Sequence, residues 1–427
     1  MNINYSFIKI YYREILLSLA IVLHGLFSYP MPVSPGLAEV IIGVLLAISI
    51  GIPFIFGLIK WWKEQETLIT KIIIVFLFIS LLVCPLFTGF LNGWGVVDIV
   101  RDIIPLCFLF LPLFSVVGWG LNNKYISQIF PLLICLAGLC FAIRFFIIAD
   151  RPFYFVGHDF FQDGLKYLSY DPSVIFAAIF LPIFVIYKSL DKGIKNSFAL
   201  IALVASFVCY QSLVAVLQRG PVALILFSLF IAIVFACIFF KKRAKLFLVL
   251  SLFLLISYSQ FFVDIETFGE YINADGYARD HYSASSLMLA KGKQNGLLNS
   301  KGKEFILITD IVFEKPSVAL LGIGWGGIYH NKYINNDFIS FTHSVVSYFL
   351  LKTGMLGLLS FFIYAVWCVR NLFRLLIQKN LYFLAFASPL VITLLQTTYK
   401  TLSLGLILLL LVNFNMDNDA DKYIDRR

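Results

Sequence analysis

This chain predicts an all-α polytopic integral membrane protein with about twelve transmembrane helices and one large external loop. Three observations carry that prediction. Of 427 residues, 60% are hydrophobic and 13% charged, and 45 are phenylalanine. A water-soluble fold keeps a polar exterior and could not bury that much apolar surface. Apolar runs of roughly 17–25 residues recur along the chain, long enough to cross a bilayer core. Lysine and arginine fall unevenly on alternate connections, which is how a membrane protein's orientation is set.

The runs cover approximately 13–29, 38–59, 71–90, 102–120, 126–149, 169–188, 197–217, 219–240, 243–263, 355–374, 381–397 and 400–415. The first reads as a retained span, because no small-residue cleavage site follows it. With the N-terminus in the cytoplasm, the cytoplasmic segments carry nineteen Lys and Arg. The short external connections carry five: Arg101, Arg151, Lys166, Arg219 and Lys400. Both termini are therefore expected inside, and the long loop outside.

Four regions follow: spans one to nine in 1–263, the loop in 264–341, a partial helix with the last three spans in 342–415, and a cytoplasmic tail in 416–427. The 78-residue loop from Asp264 to Phe341 is the main polar stretch. Near its end an apolar-periodic segment, Phe305–Phe313, predicts a short helix.

Composition also excludes. All seven cysteines lie in apolar runs and none in the loop. They read as small buried hydrophobes, with neither a disulfide framework nor a metal-ligand spacing. The net charge of +9 sits in short connections and does not suggest nucleic acid. No span has a carboxylate near its centre, and no internal repeat is visible. Both weaken a transporter reading, since ion-coupled transporters use intramembrane acids or broken helices. His24, His158, His281 and His330 have no ligand-like partners, so no metal site is expected.

Three residues point to chemistry. Arg219 stands in the tight turn Gln218-Arg219-Gly220-Pro221 between spans seven and eight. Gly220 permits the reversal and Pro221 suits a first helical turn. Arg219 reads either as an interfacial anchor or as a guanidinium placed to bind a phosphate bidentately. His343 opens the apolar run after the loop. It reads either as an interfacial histidine or as a general base, and its place on the same membrane face as Arg219 favours the base. Lys303 begins the loop's apolar-periodic segment, where a cation opposes the helix dipole. It reads either as a solvated lysine or as a second phosphate contact. Arg144, near the outer end of the fifth span, either snorkels to the interface or reaches a phosphate from the membrane side. Lys352 falls in the short stretch 342–353, read as a partial helix. The glycine cluster Gly322-Ile-Gly324-Trp-Gly326-Gly327 lacks the strand–helix context of a dinucleotide loop. It reads as a backbone bend that returns the loop to the membrane.

These motifs, in this order, resemble the O-antigen ligase and Wzy-type polysaccharide polymerase superfamily. The resemblance rests on Arg219-Gly220-Pro221, on Leu321-Gly322-Ile-Gly324-Trp-Gly326 ending the loop, and on Thr342-His343 followed by Lys352-Thr-Gly354-Met-Leu-Gly357. It departs from the family at His343-Ser344, where His-Asn is frequent. It departs again at Gly302-Lys303, where Gly-Arg is frequent, which makes Arg279 a rival to Lys303.

The resemblance implies a metal-independent, inverting glycosyltransferase with no cofactor, in the bacterial inner membrane, with its active site on the periplasmic face. It implies an undecaprenyl-diphosphate-linked glycan as donor, membrane lipid around it, and a chain-length regulator protein as partner. His343 would act as base. Arg219, with Lys303, Arg279 or Arg144, would hold the diphosphate. A polymerase is favoured over a ligase that transfers glycan to lipid A–core. A lipid-linked oligosaccharide flippase and a non-catalytic sugar-binding protein are the alternatives from other classes.

Overall fold

The computed structural model describes residues 5–28, 36–64, 68–113, 122, 124–149, 166–191, 195–216, 219–239, 300–331, 337–395 and 397–414. The expected span 243–263, the first part of the loop with Arg279, and the tail 416–427 lie outside the described residues.

The described chain is almost wholly helical. In order come α1 (Tyr5–Phe27), α2 (Leu37–Leu46), α3 (Ile52–Glu64), α4 (Leu68–Phe78), α5 (Cys84–Leu91), α6 (Val96–Leu109) and α7 (Phe130–Ala149). There follow α8 (Lys166–Ser169), α9 (Pro172–Asp191), α10 (Asn196–Ala215) and α11 (Arg219–Phe239). The last set is α12 (Ser300–Phe313), α13 (Pro316–Leu321), α14 (Val345–Ile377), α15 (Tyr382–Leu395) and α16 (Leu402–Asn413). Single π turns join α2 to α3, join α4 to α5, and precede α7.

Among the described residues, five helices are long and apolar enough to cross a membrane: Leu37–Lys60, Lys71–Leu91, Tyr125–Ile148, Asn196–Ala215 and Val345–Ile377. Shorter apolar helices lie at Pro172–Lys188, Gly220–Val234, Tyr382–Thr393 and Leu402–Asn413. The solvent these helices need is visible on their outsides. Phe56 is 70% exposed, and Ile52, Ile55 and Ile59 beside it are exposed too. Such a surface is stable against lipid and not against water. This is a helical membrane protein.

The interior is organised around α9 and α16. Along α9, Val174 to Ile183 is a run of buried side chains packed between α7, α10 and α15. Every residue of α16 from Leu402 to Leu411 is buried, against α6, α7, α9 and α14. The close approaches use small residues. A Cβ on Gly405 would overlap the Phe108 carbonyl of α6, and one on Gly138 would overlap the Ser173 carbonyl of α9. Without a hydrophobic force between helices in lipid, backbone proximity of this kind supplies much of the packing.

Two departures from the sequence reading matter for the site. The span expected from residue 102 begins six residues earlier, as α6 from Val96. Hydropathy leaves Asp98 and Arg101 outside the apolar run and Asp102 at its first position, but the fold pairs all three. Arg101 meets Asp98 at 2.7 Å on an exposed face, and Asp102 turns inward. The partial helix 342–353 and the span 355–374 together form the 33-residue α14, interrupted at Gly354, which has φ 63° and ψ −164°. That conformation strains any residue with a Cβ. The first segment therefore ends at Thr353, and its last carbonyls are released from the helix.

The end of the loop is helix α12, helix α13, the glycine cluster and a two-stranded antiparallel ribbon. Strand β1 (Tyr329–Asn331) pairs with β2 (Asp337–Ile339) in the register Tyr329↔Ile339. The ribbon has no counterpart in the sequence reading, because two three-residue strands carry too little periodicity to announce themselves.

Candidate active site

The site is built on the break in α14. Its first segment starts at Ser344, whose Oγ accepts from the Ser347 N–H at 3.1 Å, an ordinary N-cap. At its other end the released carbonyls of Leu351 and Lys352 accept from the N–H groups of Ile323 and Gly324, at 2.9 and 3.0 Å. The glycine cluster thus caps this helix, a need that every helix end has. Glycine is required there. Gly322 and Gly324 have φ of 72° and 84°, and a Cβ on Gly324 would fall 2.3 Å from the Gly89 nitrogen of α5. The Trp325 N–H donates to Pro85 O at 3.0 Å, and its indole donates to Leu81 O at 3.2 Å.

Lys352, at the end of that segment, is fully buried. Its ammonium donates to Asp102 Oδ2 at 2.5 Å and also to Gly327 O. The same Oδ2 accepts the Gly326 N–H at 2.8 Å. One carboxylate oxygen from α6 therefore fixes both the helix end and the glycine cluster.

His343 lies at the opposite end of the segment, and Glu304 of α12 orients it. Glu304 Oε2 accepts from the His343 backbone N–H at 2.9 Å and from the ring Nδ1 at 3.1 Å. Glu304 Oε1 accepts from the Tyr329 hydroxyl at 2.6 Å and from Asn331 Nδ2 at 3.3 Å. The Glu304 side chain is 1% exposed and that of His343 32%. Burial alone would raise the Glu304 carboxyl. The hydrogen bonds from His343 and Tyr329 outweigh it and hold the group below its usual range. Burial and the Glu304 carboxylate push the Tyr329 phenol upward, so it stays a donor. An ionised carboxylate only accepts, so in neutral His343 the Nδ1 carries the proton. Nε2 is then the lone-pair nitrogen, on a ring partly open to solvent. A carboxylate fixing the tautomer and orientation of a histidine is the arrangement of a general base.

Lys400 lies in the 3-10 turn Thr397–Lys400 that precedes α16. Tyr399 anchors this turn through its hydroxyl, which donates to Thr342 O at 3.1 Å. The Lys400 ammonium faces three rings: Tyr348 at 4.7 Å, Phe341 at 5.3 Å and Tyr399 at 5.8 Å to the centroids. The Phe341 ring in turn lies 6.3 Å from the His343 ring.

The residues expected from the sequence fall as follows. His343 stands at the centre of the network just described. Lys303 is exposed on α12, one residue before Glu304. Arg144 donates through Nη1 to Ser28 O at 2.7 Å and Gly25 O at 3.0 Å, so its guanidinium serves the C-terminal end of α1. Arg219 is the first residue of α11, and its side chain is outside the described atoms. The next residue, Gly220, faces Ile392 of α15, and α15 leads into the turn that holds Lys400. Arg279 is outside the described residues.

Sequence reasoning missed Glu304. Its signal was present: Glu304, Ile308 and Val312 form an i, i+4, i+8 stripe, all buried. A carboxylate heading an apolar stripe needs a partner. No protein-family model matches this chain, and no curated protein does.

Proposed function

We propose that this protein is a membrane glycosyltransferase that polymerises undecaprenyl-diphosphate-linked oligosaccharide repeat units into surface polysaccharide. The reading places the reaction on the periplasmic face of the bacterial inner membrane, in a chain of about twelve spans with both termini in the cytoplasm. The observation that carries it is the Glu304–His343 pair at the junction of the loop and α14, where the sequence resemblance puts its histidine.

In this mechanism His343 Nε2 takes the proton of the acceptor sugar hydroxyl. The freed oxygen forms the new bond to the donor's anomeric carbon from the side opposite the diphosphate. The bond from that carbon to the diphosphate oxygen breaks, and the electron pair leaves with the lipid diphosphate. Cationic side chains stabilise the charge that develops there. Arg219 is the first candidate, with Lys303 or Arg279 beside it. Glu304 holds the proton of neutral His343 on Nδ1, keeps Nε2 aimed, and stabilises the imidazolium that forms.

The test is complementation of a strain deleted for this gene, comparing wild type with His343→Ala and Arg219→Ala at equal membrane abundance on a gel of surface polysaccharide. The expected result is a ladder of long chains from the wild type, and core with a single repeat unit from both variants. Unmodified core with accumulated lipid-linked polymer in the deleted strain would instead assign a ligase. A His343→Ala ladder like that of the wild type would remove the catalytic role of the histidine.

A further inference from the structure

We propose that Lys400 is a binding residue for the diphosphate of the lipid-linked donor, holding it beside His343. The inference rests on the function proposed above.

Its ground is the position of one cation among several. Arg101, Lys352 and Lys400 belong to the same region of α6, α14 and the turn before α16. Arg101 has Asp98, and Lys352 has Asp102. Lys400 is half-buried, and among the described residues it makes neither an ion pair nor a hydrogen bond; its neighbours are ring faces. Ring faces hold an ammonium in place but leave its hydrogen-bond donors unused. An anion that brings several oxygens would satisfy all of them. Asp102, the carboxylate that acts on Lys400, already accepts from Lys352 and from the Gly326 N–H. The site is also aimed. Tyr399 fixes the turn to Thr342, the residue before His343, and Phe341 touches both the ammonium and the imidazole. A diphosphate on Lys400 would present its sugar carbon toward the base.

Burial pushes the Lys400 ammonium down to about 7; Asp102 opposes that, while Lys352 and Arg101 add to it. Tyr348 and Tyr399 complete the surroundings. Only the charged form binds an anion. Affinity should therefore be constant below about pH 7 and weaken above it, by up to about tenfold per pH unit.

The experiment measures binding of undecaprenyl diphosphate to the full-length protein in lipid nanodiscs, from pH 6 to pH 9. The wild type, Lys400→Gln and Lys400→Arg are compared. Lys400→Gln is expected to weaken binding by about ten- to a hundredfold at pH 6.5. Lys400→Arg should keep the affinity and lose the decline above pH 7. If Lys400→Gln binds as tightly as the wild type, or only lowers thermal stability, the residue is structural and the proposal falls while the proposed function stands. If inorganic pyrophosphate binds as tightly as the lipid, the site is one for free phosphate and the donor assignment fails. If the wild type does not bind the lipid at all, the proposed function fails, and this inference with it.

Discussion

The Lys352 ammonium lies 2.5 Å from Asp102 Oδ2, with neither side chain more than 1% exposed. The pair joins α6 to the broken helix α14 across 250 residues of sequence. It also closes the glycine cluster, because the same oxygen holds Gly326 and the same ammonium holds Gly327. The segment that begins after His343 is thus tied to α6 at its far end by an ion pair that touches neither His343 nor Glu304.

That pair predicts strong non-additivity. Lys352→Met leaves a buried carboxylate without its cation, and should cost about 3–5 kcal/mol. Asp102→Asn leaves a buried ammonium short of its anion and should cost a similar amount. The double variant removes both charges while the amide oxygen still accepts from Gly326, so most of the loss should be recovered. Thermal unfolding in detergent micelles checks this. A double variant as unstable as the sum of the singles would show that the pair does not act as a unit.

Glu304→Gln should impair turnover more than substrate binding. Four donors converge on the two carboxylate oxygens: His343 N, His343 Nδ1, Tyr329 Oη and Asn331 Nδ2. An amide offers one oxygen, and its NH2 would face another donor on the other side. The imidazole then loses its fixed orientation. The expected result is a fall of about a hundredfold in kcat, within the range of general-base contributions, and a small change in KM. A steady-state assay with a lipid-linked donor in proteoliposomes separates the two. An unchanged kcat would detach Glu304 from the chemistry.

Acid should loosen the site within a defined window. The folded protein holds the Glu304 carboxyl below its ordinary value of 4.5. The carboxylate therefore contributes stability that is complete above about pH 4.5 and is lost as pH falls through the lower folded value. Thermal unfolding of the wild type between pH 7 and pH 3 should show this loss, and Glu304→Gln should lack that component. Parallel curves for the two proteins would contradict the assignment.

The amino-acid sequence dictates the solvent of this fold. Its composition and its apolar runs required lipid, and α7, α9, α10, α11, α15 and α16 begin and end within a few residues of the expected spans. His343 was legible from its place after the loop, and the partial helix from the short apolar stretch 342–353. The pairings were not legible. Hydropathy treats a charge as a reason to end a span, so Asp102 looked terminal and Lys352 left over. Only the approach of α6 to α14 shows that each is the reason the other can be buried. Glu304 was hidden because it stands 39 residues before His343, and no local pattern links a helix in the loop to the residue that follows it. Lys400 counted only as one external charge among five, until the fold set its ammonium against the Phe341 ring that also touches His343. Burial and periodicity are properties of a segment and can be read along it. A histidine, its orienting carboxylate and a neighbouring cation come together through distances between segments, and those were decided by packing.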